Sequence, residues 1–246
     1  MTRSGAASKQ QHKTVIFDCV ERLRNAIIVG ELQPGQKLIE ANLCETMAVS
    51  RPSLREALRV LEADGLIDLF PNRGPSVARL GDREIEEIHD VWAMLTGEAV
   101  YRFAKVAGAK DIHEIDLLAG RLKSASRADD LIAMLTWTNG IFGTILAKCD
   151  NNLLTDMVYS LVARINLLRA RSLADKEWRR KWVAEIEDMI TTIRTGTPAA
   201  AREAVRRHIA SACDTAKQVG TQTRPARISK ARLLGATSAL AGGMPE

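Results

Sequence analysis

Arg51, Arg55 and Arg59 recur every four residues in "VSRPSLREALRVLEADGLI", residues 49–67. In a helix that spacing stacks three guanidinium groups along one stripe. Leu54, Leu58 and Leu61 form a second stripe, apolar, that can dock the same helix onto a core. Glu56 is the only acid within the arginine run, and its position points off that stripe. Taken alone, such a pattern is also that of a solvated helix face. Three cations along one stripe that carries no carboxylate nevertheless suit an extended anionic partner.

The elements that must hold these residues follow from the surrounding pattern. A helical periodicity begins near Val15, after a polar start expected to be mobile, and stops at Gly30. "GELQPGQKL" contains a Pro34-Gly35 turn, a short helix follows over 39–47, and Ala48-Val49 turns the chain. Ser50 then caps a third helix with Pro52 in its first turn, and Gly65 ends it. "LIDLF" and "SVARL" alternate like two short strands around the turn "PNRGP". Three helices and a hairpin over 14–80 are the outline of a winged helix-turn-helix.

Beyond Gly81 the texture is helical throughout. Six segments fit, near 82–107, 111–126, 129–148, 151–171, 175–195 and 198–219, with Asp82, Asp111, Asp129, Asn151, Asp175 and Thr197 as candidate caps. The expected fold class is therefore mainly α: a winged helix-turn-helix over 14–80 and an all-α bundle of six to seven helices over 81–219. Residues 220–246 read as a loose tail.

Composition narrows the function. The net charge of +5 over 246 residues comes from the two ends, because residues 14–217 carry nearly equal numbers of acids and bases. An argument for nucleic acid must rest on local arrangement. Cys19, Cys44, Cys149 and Cys213 are scattered without metal-site or disulfide spacing. No stretch has the build of a signal peptide or a membrane span, so the cytoplasm is the expected compartment. No GxSxG, HExxH, Walker or dinucleotide-binding glycine pattern occurs, and no catalytic activity is expected. His89 and His113 read as solvated, and Trp137, Trp178 and Trp182 as core or interface residues.

The segment from Leu23 to Val77 resembles the GntR transcription regulators, with its G-x-L-x-P-G-x-x-L turn, VSRxxLREALRxLExxGL helix and Arg73-Gly74 wing tip in order. Glu98, "DNNLL", "RINLLR" and His208 extend the resemblance to the FadR-type branch and its effector domain, known as FCD. The resemblance implies that the third helix enters the DNA major groove, with Ser50, Arg51, Ser53 and Arg55 facing DNA and Arg59 reaching a phosphate. An arginine near that helix start can bond a guanine edge, while serine hydroxyls and free N–H groups suit phosphate oxygens. Arg73-Gly74 would enter the minor groove, and Glu40 would contact a base or orient an arginine.

Many FCD domains hold a divalent metal with one Asp and three His. At the matching positions this chain has Asn139, Gly143, Ile186 and His208, and Met94 stands where an arginine is usual. Gly143 and Ile186 offer no donor, so the metal site reads as lost and no cofactor is expected. The replacements suggest a more apolar pocket and a less charged effector. Asn139, Arg164, Arg169 and His208 are the polar groups expected nearest that pocket, with salt bridges inside the bundle as the equal alternative for the two arginines.

The expected function is a ligand-responsive regulator of transcription, a repressor of a metabolic operon. It would bind a short palindromic operator in double-stranded DNA as a homodimer, answer to a small-molecule effector and require no membrane. The alternative is a helical ligand-binding or enzymatic bundle whose N-terminal domain mediates protein contacts.

Overall fold

The structure is a computed structural model that describes residues 3–71, 73–173 and 175–220. Its chain divides between Arg79 and Leu80 into two compact units. The expected tail lies outside the described residues, apart from Gly220 at the end of the last helix.

The first unit contains α1 (Arg3–Ile28), α2 (Glu40–Met47), α3 (Arg51–Ala63), β1 (Ile67–Phe70) and β2 (Gly74–Val77). Helix α1 starts at Arg3, not near Val15, because residues 3–14 contain no proline and are mostly good helix formers. Leu23 and Ile27 of α1 meet Leu54, Leu58 and Leu61 of α3 in a core where each side chain is almost fully buried. The predicted leucine stripe is therefore the docking face. Arg24 of α1 bridges Glu21 and Asp64, tying the end of α3 to α1. Helix α3 stops at Gly65, whose φ of 68° suits a residue without a Cβ.

The hairpin departs from its sequence reading by two residues. Gly74 and Pro75, expected in the turn, open β2 in the antiparallel register Ile67↔Val77 to Phe70↔Gly74. Residues after Val77, expected in the strand, leave it. The reason is a third segment: Val77 N–H donates to Gln36 O, Leu38 N–H to Pro75 O and Gly35 N–H to Val77 O. The Pro34-Gly35 turn thus stitches itself to the outer edge of β2 and sets where the strand runs.

The second unit contains α4 (Asp82–Val106), α5 (Ala109–Arg127), α6 (Leu131–Ala147), α7 (Asn152–Ser172), α8 (Lys176–Thr195) and α9 (Pro198–Gly220). Helix α4 packs against α9 and α7, α5 lies along α6, and α8 joins α5 to α9. Trp92, Phe103, Ile115, Ile141, Trp182 and Val205 fill the middle. Asn151, Asp175 and Thr197 accept N–H bonds as caps, as expected. The other three are displaced. Gly81 and Gly108 precede α4 and α5, with Asp82 and Asp111 inside the first turns, and Asp130 caps α6 in place of Asp129. A carboxylate in the first turn also favours the helix, through the positive N-terminal dipole. Asp129 instead binds Lys176 and Arg179 of α8.

Candidate nucleic-acid interface and effector cavity

Helices α2 and α3 are joined through Ala48, which takes the left-handed conformation at φ 54° and returns its N–H to Cys44 O. Arg22 of α1 donates to Met47 O and caps the same helix end. Ser50 begins α3, its hydroxyl accepting from Ser53 N–H at 3.3 Å. These contacts fix where the start of α3 points.

Arg51, Arg55 and Arg59 are all exposed on the side opposite the buried leucines. Arg55 Nε donates to Glu40 Oε2 at 3.0 Å, so Glu40 orients an arginine, one of the two roles expected of it. The pair lies across the opening turns of α2 and α3, and its guanidinium keeps other N–H donors free for a partner. At the hairpin, Arg73 and Gly74 are exposed, and Arg73 N–H bonds back to Phe70 O. Ser53 departs from expectation: it is 3% exposed and its hydroxyl lies 2.9 Å from that of Ser50. A residue at its helical position turns inward with Leu54, so Ser53 supports the cap and does not itself present a surface.

Within the helical unit, one cavity is walled by Trp92 and Thr96 of α4, Asn139, Phe142 and Gly143 of α6, and Val158, Tyr159, Val162, Ile165 and Arg169 of α7. It holds about 40 Å³, space for water or for the head of a small ligand. Gly143 leaves it open, since an added Cβ would meet only the Tyr159 hydroxyl, at 4.0 Å.

Arg169 is the charged residue of this wall. It is 5% exposed, and no carboxylate pairs with it among the described residues. Its Nη1 donates to Asn139 Oδ1 at 2.9 Å and to Asn166 Oδ1 at 3.2 Å. The guanidinium lies 4.7 Å from the Trp92 ring, 5.4 Å from Phe142 and 5.6 Å from Trp182, where the aromatic faces attract a cation. Burial pushes its pKa down to about 9, still charged at neutral pH. Arg169 Nε and Thr96 Oγ1 are buried without hydrogen-bond partners.

The other expected pocket residues divide. Asn139 joins Arg169. Arg164 does not line the cavity, because five residues along α7 rotate a side chain about 140° away. His208 also stands outside the lining and meets the Trp182 ring edge-on at 5.3 Å. Its Nδ1 is 2.9 Å from Glu185 Oε2. Burial lowers the pKa of His208, partly opposed by Glu185, while bonds from His208 and Ser211 hold Glu185 below the usual carboxylate value despite its burial. The imidazole is thus neutral, with Nδ1–H donating and Nε2 left as a buried unpartnered acceptor. His89, expected at the surface, is 5% exposed and bonds Ile85 O through Nδ1; its side of α4 packs inward with Trp92.

The residues at the family's metal positions do not fit a divalent cation. Asn139 is engaged by a guanidinium, Gly143 has no donor, and Ile186 is fully buried as an apolar residue. A positive charge already stands in their midst. Met94 is 59% exposed and lines nothing here, so neither Met94 nor Ile186 sets the polarity of this cavity. Trp92, Thr96, Phe142 and Asn166 were missed from sequence. The available signals were Trp92, Thr96 and Ala99 at helical spacing and Asn166 one turn before Arg169.

Comparison with known proteins matches residues 18–77 to the bacterial regulatory proteins of the gntR family and residues 87–211 to the FCD domain. An uncharacterized HTH-type transcriptional regulator of Agrobacterium vitis is 33% identical over 84 residues, 34% of this chain. The chain spans about half the length of that relative, 49%. The HTH-type transcriptional repressor GlaR of Escherichia coli is 28% identical over 174 residues, 67% of this chain and 74% of the relative. The solved structure of E. coli McbR/YncC superposes with a TM-score of 0.71 at 19% identity, covering 83% of this chain and 97% of that one, and shares the fold.

Proposed function

The chain belongs to the gntR family of bacterial regulatory proteins and carries an FCD domain, and from that premise we propose that it is a ligand-responsive repressor acting on an operator in double-stranded DNA. The observation that carries the reading is the arginine stripe of α3, exposed and set opposite a fully buried leucine face. Arg51 and Arg55 would stand at base edges, Arg59 at a phosphate, and Arg73-Gly74 at the neighbouring minor groove. Ser50 would add its hydroxyl and the open N–H groups of the helix start.

The protein would act as a homodimer, because two recognition helices related by a two-fold axis read a short palindrome. Its effector would enter the cavity beside Arg169 and bind one dimer geometry better than another, which is the requirement for switching. The regulated genes would be metabolic, the compartment the cytoplasm, and no metal or catalytic step is needed. Among the described residues no helix is long and apolar enough to cross a membrane.

A gel shift on the protein's own upstream region, at about 0.15 M salt and with competitor DNA, tests the reading. A specific complex that Arg55→Ala weakens supports it; no specific complex, or full affinity in Arg55→Ala, overturns it.

A further inference from the structure

A second recess of the helical unit shares no residue with the cavity beside Arg169. It is an open groove of about 520 Å³ between the start of α8 and the end of α9, within the size range of small-ligand sites, roughly 300–1,000 Å³. Asp175, Glu177, Trp178 and Lys181 line it from the start of α8, Ser211 and Asp214 from α9. Three carboxylates against one ammonium give it a negative balance. Glu177 and Asp214 are exposed, and no cation bridges either of them among the described residues. Trp178 is the buried residue of the lining, 6% exposed, and its indole N–H has no acceptor; a buried donor left without a partner is uncommon in a folded protein. Lys181 Nζ lies 5.1 Å from the centre of the Trp178 ring, so the ring already attracts a cation here. One groove therefore joins carboxylates without a countercharge to a donor without an acceptor.

We propose that this groove is a binding site for an arginine-like organic cation, a guanidinium carried on a frame that also bears a carbonyl oxygen. The inference is independent of the reading of the cavity beside Arg169. A guanidinium presents five N–H donors in a planar fork, so it can serve carboxylates of both helices at once, Glu177 of α8 and Asp214 of α9. An ammonium is a compact, strongly hydrated point charge and spans the two less well. The carbonyl supplies the acceptor that the Trp178 indole lacks. From Ser211 to Gln218 the groove follows α9 for about 10 Å at 1.5 Å per residue, enough for one extended arginine. Lys181 is the internal competitor: its Nζ stands between the Trp178 ring and Glu185 Oε1, 3.7 Å away, and a guest cation displaces it. The same arginyl group can arrive free or as part of a polypeptide.

The test uses the full-length protein without DNA, with L-argininamide as the probe and its uncharged counterpart L-citrullinamide as the control. Calorimetric titration and tryptophan fluorescence at about 0.05 M salt are the readouts. Argininamide should bind roughly tenfold more tightly than citrullinamide. Agmatine, which has no carbonyl, should bind more weakly than argininamide, and that difference should vanish in Trp178→Phe. Glu177→Gln and Asp214→Asn, at exposed positions outside the core, should each weaken argininamide by up to about fivefold, and the double variant should lose the preference for it. Lys181→Met keeps an apolar stem and removes the competitor, so it should tighten binding by a similar factor, a gain that misfolding does not produce. No detectable binding of argininamide, equal affinity for citrullinamide or agmatine, a preference that survives in the double variant, or unchanged binding in Lys181→Met would each overturn the inference. The blocked tripeptide acetyl-Ala-Arg-Ala-amide separates the two sources: tighter binding than argininamide assigns the site to an arginine of a polypeptide, weaker binding to a free cation, and either upholds the site.

Discussion

The arginines of α3 and the arginine of α7 use one side chain in opposite solvents. Arg51, Arg55 and Arg59 stand in water, where their charge is cheap to hold and screened by salt. Arg169 stands among Trp92, Phe142 and Trp182, where charge is costly and little screened. The exposed set can meet a long polyanion at many points, each contact weak and dependent on ion release. The buried one can meet a single small anion, at one point, with strong directionality. The same side chain thus gives a solvated cationic surface in one unit and an unpaired buried charge beside a cavity in the other.

The comparison can be broken at several strengths. The largest effect should come from Arg55→Ala, which removes a contact worth about 1–3 kcal/mol, or roughly 5–150-fold in operator affinity, and relaxes base preference at one position per half-site. Footprint titrations on operator variants would read both. Retained affinity and selectivity would show that Arg55 is a solvated surface group.

Salt separates the two environments next. Operator affinity should fall steeply with rising salt, and Arg59→Ala should flatten the log–log slope by about one. The stability of the helical unit around the buried Arg169 should change far less between roughly 50 and 200 mM salt. An equally steep salt dependence in both would abolish the distinction between the two environments.

The helical unit should also respond to acid. His208 and His89 are held neutral, their pKa values lowered chiefly by burial from the ordinary 6.5. The unfolded chain therefore binds protons first, and stability should decline as pH falls below about 6.5 toward the lowered values. Denaturant titrations between pH 7 and 5 should show a shallower decline in His208→Gln. An identical decline in the variant would remove His208 from the account.

The smallest effect belongs to Gly143→Ala. The added methyl enters open space, and replacing glycine inside α6 should stabilise the helix by up to about 1 kcal/mol while narrowing the cavity. A gain in melting temperature is expected. Destabilisation would mean that the space beside Tyr159 is already filled.

What could be read from the sequence tracks how local each feature is. The leucine and arginine stripes of α3 depend on one helix and its cap, so spacing revealed them. Helix ends in the bundle were legible to within two residues, because Asp82 and Asp111 favour a helix start from inside the first turn much as a cap does from outside. Features that need a partner were not legible. His89 sits among acids in sequence, and only the packing of α4 shows that it faces inward. Arg164 and Arg169 look equivalent in "RINLLR", yet their positions on α7 send one into the cavity and the other away from it. Gly74-Pro75 reads as a turn until the Gln36–Leu38 segment supplies a second neighbour for β2.

Gly143 has a consequence on an evolutionary scale. A glycine codon lies one nucleotide from alanine, valine, serine, cysteine, aspartate or arginine codons, and the space at this position admits a first carbon without displacing backbone. Descendants of this gene can therefore sample narrower, more polar or oppositely charged cavities in single steps. Arg169 has no such freedom, because Asn139 and Asn166 both point their oxygens at it and would have to change in concert. Lineages that diverge from this chain should alter the wall at Gly143 sooner than the guanidinium held by Asn139 and Asn166.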